Sequence, residues 1–94
     1  MTGNEVQAAL ARWNLSARKA GKLLGVDART TVARWVKAGD DEVPIDPRNE
    51  ELLAFLAAVQ PTAEEALSVH ASLALDDSLE ALYLLLSIRY GRVS

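Results

Sequence analysis

The chain has no cysteine, a single histidine, and aromatic residues at only 5% of its 94 positions. Without cysteine it can build neither a disulfide framework nor a thiolate metal site. The lone histidine, His70, has no companions with metal-ligand spacing, and no glycine-rich segment could cradle a phosphate. The carboxylates cluster at loops and helix starts, where they act as caps and as favourable charges for helix dipoles. These shortages argue against an enzyme, and no cofactor, metal or small-molecule substrate is expected. Long hydrophobic runs are missing as well. The stretch Ala81 to Leu86 covers six residues, against the roughly 20 needed to span a bilayer. The opening Met1-Thr2-Gly3-Asn4-Glu5 lacks the basic-then-apolar order of a signal peptide. A soluble, cytoplasmic protein without a membrane partner is therefore expected.

What is present favours helix. Half of the residues are hydrophobic, and most of the surplus is Ala and Leu, both good helix formers. Nothing alternates with period two for long enough to suggest a strand. The capping box Thr2-x-x-Glu5 opens a first helix, with Val6, Ala9, Leu10 and Trp13 at helical spacing. Ser16 caps a second, Ala17 to Leu24, closed by Gly25. Asp27 caps a third, from Ala28 to about Lys37, ended by Gly39. Residues 40–45 form a loop, since Pro44 disfavours helix and the acids repel. Asp46-Pro47 opens a fourth helix to about Val59, Thr62-x-x-Glu65 a fifth and Asp77-x-x-Glu80 a sixth. The expected fold is an all-α bundle of about five to six helices. A length of 94 residues suits one domain, 1–94, and no flexible linker separates the halves.

Charge divides the chain. The net charge is −3, yet between Arg12 and Lys37 seven bases meet one acid, Asp27. From Ala38 onward three bases face eleven acids. Local fields rather than totals steer association with phosphate, so the basic segment is a candidate nucleic-acid surface.

That segment has a recognisable layout. An eight-residue helix, the short link Gly25-Val26-Asp27 and a longer helix make a helix-turn-helix. The stretch from Leu15 to Asp27, followed by Thr31-Val32-Ala33-Arg34-Trp35, resembles the phage repressor (Cro and C1-like, XRE-type) helix-turn-helix family. The resemblance covers about residues 5–59. Gly39 and Pro44 fit that family's way of ending the third helix, and Gly21 stands where it wants a small residue. The resemblance implies binding to double-stranded DNA. There is one departure. The apolar anchor of the third helix falls at Val32 instead of Thr31, which implies an extra residue in the turn and an altered projection of the third helix.

Winding the third helix at about 100° per residue separates two faces. Ala28, Val32, Trp35 and Val36 form an apolar stripe, while Arg29, Thr30, Ala33, Arg34 and Lys37 lie opposite. Arg29, Thr30, Ala33 and Arg34 are the expected base contacts, because Arg can grip guanine edges and Ala or Thr permits close approach. Ser16, Arg18, Lys19, Lys22 and Lys37 are the expected backbone contacts. Trp13 and Trp35 sit on apolar stripes and are expected in the core, as is a partly buried structural His70.

The sixth helix is apolar almost all round. Leu79, Leu82, Tyr83, Leu86 and Tyr90 make one stripe, and Ala81, Leu84, Leu85 and Ile88 another. A helix with two apolar faces is usually covered on both. The second stripe, through Leu84, Leu85 and Ile88, is expected to form a homodimer interface within an acidic oligomerisation part, about 60–94. The functional expectation is a DNA-binding transcriptional regulator, a small homodimeric repressor of phage or mobile-element type. Alternatives are a DNA-packaging protein resembling a small terminase subunit, or a helix-turn-helix module that binds a protein.

Overall fold

The computed structural model describes residues 1–91. Its order is α1 (Gly3–Arg12), α2 (Ala17–Leu24), a π-helical turn (Ala28–Val32) that runs directly into α3 (Ala33–Lys37), α4 (Pro47–Ala58), α5 (Ala63–Ala74) and α6 (Ser78–Gly91). Among the described residues there is no strand. A single bridge, Thr2 to Glu42, ties the chain start to the loop after α3.

The helix boundaries follow local chemistry. Thr2 and Glu5 form a reciprocal capping box, as do Thr62 and Glu65. Ser16 accepts the Lys19 amide, Asp46 the Asn49 amide, and Asp77 the Glu80 amide. Gly25 closes α2 with φ at 72°, a left-handed conformation that glycine adopts without a Cβ penalty.

One apolar core runs through both halves. It includes Val6 and Trp13 from α1, Leu24 from α2, Val32 and Trp35 from the third-helix segment, Leu53 and Leu56 from α4, Leu73 from α5 and Leu85 from α6. Gly3 lets α1 meet the end of α3. A Cβ there would lie 2.2 Å from the Trp35 carbonyl oxygen, and the Asn4 amide donates to Gly39 O at 2.8 Å. Gly21 does the same between α2 and the turn, since its Cβ would stand 2.7 Å from Val26 O.

Trp13, only 1% exposed, joins three helices. Its indole N–H donates to both Leu56 O (3.0 Å) and Val59 O (3.1 Å), at the end of α4. Its own carbonyl accepts from His70 Nε2 of α5 at 2.9 Å.

One expectation about α6 is corrected here. Leu85, expected at a dimer face, is 1% exposed and fills this chain's own core beside Ala81. Leu84 and Ile88 are partly buried and pack against that core. The stripe left outside is the other one: Leu79, Tyr83 and Tyr90 are 59%, 60% and 69% exposed. Periodicity identified two apolar faces but could not say which of them α5 and α2 cover.

Trp13→Ala should lower stability by about 3–5 kcal/mol, the usual cost of emptying a large core site. Trp13→Phe keeps most of the ring but strands the α4 carbonyls, so it should cost about 1–3 kcal/mol. Urea unfolding of both variants separates packing from the hydrogen bond; equal stability of Trp13→Phe and the parent would remove the clamp.

Candidate nucleic-acid interface

The third helix of the motif is built from the π turn and α3. Asp27 starts it by accepting, all on Oδ1, the Arg29 amide (2.9 Å), the Thr30 amide (2.8 Å) and the Thr30 hydroxyl (3.1 Å). These bonds, the Thr30 amide first, hold the Asp27 carboxyl below its ordinary range. The turn then opens wide. The amides of Thr31 and Val32 both donate to Asp27 O, and that of Ala33 donates to Ala28 O, a span of five residues. The wide spacing ahead of Val32 lies inside the helix, as a π turn, and the link is Gly25-Val26-Asp27.

This register puts Val32 (0% exposed) and Trp35 (6%) in the core, with Thr31 half-buried at the margin. Arg29, Thr30, Ala33, Arg34 and Lys37 are all exposed. Together with Ala17 and Val36 they line one shallow groove, which continues into a second lined by Ala17, Arg18, Asp27, Ala28, Arg29 and Ala33. Among the described residues, no carboxylate forms an ion pair with Arg18, Arg29, Arg34 or Lys37. The Asp27 charge in the groove is offset by the helix-start amides of Thr30 and Arg29 and by the Thr30 hydroxyl. Two groove residues, Ala17 and Val36, had no sequence signal of their own, because alanine and valine look like core on a helical wheel.

The other expected backbone contacts divide. Ser16 is exposed, with its oxygen occupied in capping α2 and its hydroxyl proton free to donate. Lys19 and Lys22 are half-buried and turned toward α5. The Lys19 ammonium donates to His70 Nδ1 at 2.9 Å, which places the imidazole proton on Nε2, facing Trp13 O. Lys22 pairs with Asp76 and also reaches Leu73 O at 3.4 Å. The Lys22 hydrogen bond, followed by its charge and that of Arg18, holds the Asp76 carboxyl below its ordinary range. Two of the expected phosphate contacts are thus occupied inside the molecule.

A comparison with family models, curated proteins and solved structures finds no match. Among the described residues, no group of three or more His, Asp or Glu side chains is placed to hold a metal ion, and no helix is long and apolar enough to cross a membrane.

The depressed Asp27 carboxyl gives a pH dependence with a definite sign. The capping stabilisation is complete above the ordinary carboxylate range and is lost as pH falls through the lower folded-state value. Asp27→Asn keeps an acceptor at the cap and does not titrate. The stability advantage of the parent over Asp27→Asn, measured by urea midpoints from neutral pH to about pH 3, should therefore shrink with acid. A constant difference would dissociate the cap from the carboxylate charge.

Proposed function

We propose that this protein is a sequence-specific, double-stranded-DNA-binding regulator that reads the major groove with its third helix. The observation that carries this is the outward face of that helix: Arg29, Arg34 and Lys37, exposed and in no ion pair among the described residues, around a small alanine that permits close approach. Arg18 continues the positive surface across the groove to α2. Arg29 and Arg34 serve as bidentate guanine readers, Thr30 and Ala33 as close-approach contacts, and Ser16, Arg18 and Lys37 as phosphate contacts. Lys19 and Lys22 act mainly as braces.

Arg34→Ala should weaken binding to a selected duplex by about 1–3 kcal/mol and relax preference at one base pair. Arg18→Ala should weaken all sequences alike and reduce the salt slope by about one. Lys22→Ala should leave that slope unchanged, because its charge is already matched by Asp76. Affinities measured across a salt series test all three, and salt-insensitive binding by the parent would overturn the reading.

The same proposal includes a homodimer, formed by the outer ridge of α6. Leu79, Tyr83, Leu86 and Tyr90 follow one another at intervals of four, three and four residues, the spacing of a seam between paired helices. Against the ridge, with Leu86 shared between them, lies a groove lined by the apolar Leu52, Leu82 and Leu86 and the charged Arg48, Glu51 and Arg89. A tyrosine fits such a place, with its ring on the leucines and its hydroxyl at the charged groups. Ridge and groove on one chain are what a two-fold, isologous contact with a second copy requires. Tyr83→Arg should give folded monomers that bind DNA more weakly, whereas Leu85→Glu should unfold the chain. Sedimentation of the parent decides the matter: a single species near 10.2 kDa overturns the dimer, and a mass many times larger favours ring assembly over a two-fold pair.

A further inference from the structure

The groove between α2 and the third helix combines two properties that a merely electrostatic DNA surface does not need together. Its rim carries the cationic heads of Arg29, Arg34 and Lys37. The apolar side chains of Ala17, Ala33 and Val36 make up the rest of its lining apart from Thr30, and we call them its floor. The Thr30 hydroxyl in its lining spends its proton on Asp27. The groove therefore suits a partner that presents a small apolar projection surrounded by acceptors and negative charge.

In the major groove of DNA only one base meets that description. Thymine alone offers a methyl group there, while guanine offers two acceptors and cytosine an amino donor. A cytosine there lacks the methyl group and leaves the apolar lining uncovered. An adjacent guanine would meet the arginine rim. On the DNA-binding reading above, we propose that Ala17, Ala33 and Val36 form a thymine-methyl pocket, so that the preferred site carries a thymine next to guanine. Ala17 acts from α2 and Ala33 and Val36 from α3, so the pocket depends on the separation that Gly21 allows between these segments.

The experiment uses the full chain and duplexes it recovers from a random-sequence pool. A thymine should be enriched beside guanine, and replacing it with deoxyuridine should weaken binding about fourfold, the factor for burying one methyl-sized group. Cytosine at that position should bind weakly and 5-methylcytosine better. Ala33→Gly should bring the thymine-to-deoxyuridine ratio close to one. Because glycine weakens helix interiors, Ala17→Gly at the first position of α2 serves as the second variant, with circular dichroism confirming the fold of both. Equal binding of thymine and deoxyuridine duplexes, with salt-sensitive and sequence-selective binding retained, would overturn the pocket and leave the DNA reading standing. Absence of salt-sensitive binding by the parent would overturn both.

Discussion

Trp13 satisfies the polar needs of three helices at once, and the rest of the arrangement depends on it. A helix end leaves carbonyls without intrahelical partners. At the end of α4 two of them, from Leu56 and Val59, share one indole N–H that is itself too buried to reach water. The ring lies 6.2 Å from that of Phe55, so the bond and the apolar contact point the same way. Trp13 is also the residue at which α1 stops. Asn14 follows with φ at 53°, and the Leu15 amide returns to Leu10 O. The clamp thus fixes both the α1–α4 pair and the point from which α2 departs.

From the same residue the acidic half of the chain becomes a brace for the basic half. The Trp13 carbonyl orients His70, His70 receives Lys19, and one turn further Lys22 is held by Asp76 and Leu73 O. Alpha helix α5 therefore grips α2 along the side away from the third helix. Opposite charges in the two halves have an internal use as well as an external one. Among the described residues the third helix keeps Arg29, Arg34 and Lys37 without an ion pair, so its outward face stays positive.

Much of this fold was legible in residue chemistry, because caps and turns act locally. Thr2 with Glu5, Ser16, Asp27, Asp46 with Pro47, and Thr62 with Glu65 each mark a helix start where the structure has one. The separation of Val32 and Trp35 from Arg29, Thr30, Ala33, Arg34 and Lys37 also followed from period alone. What stayed hidden was tertiary. Lys19 and Lys22 have the same local setting as any exposed lysine on α2, and only the approach of α5, some fifty residues later in the chain, takes them inward. On α6 both faces are apolar, so the pattern carried no preference between Leu85 inside and Tyr83 outside.

The wide turn at Ala28–Val32 shows how the start of the third helix is fitted where packing is asymmetric. The link itself has no slack. Gly25 is left-handed, the Val26 amide returns to Gly21 O, and Val26 O already lies against the space where a Cβ on Gly21 would be. Asp27 is fixed by its cap. The wide turn therefore lies downstream of the link, and it orphans no amide there, since Thr31, Val32 and Ala33 all find carbonyls. Such turns are rare as long helices and occur mostly as single bulges, often at functional sites. On the inner face the bulge restores Val32 to the core. On the outer face the wide turn offsets Arg29 and Thr30, before it closes, from Ala33 and Arg34, after it. Whatever contacts that face must accept side chains in this offset register.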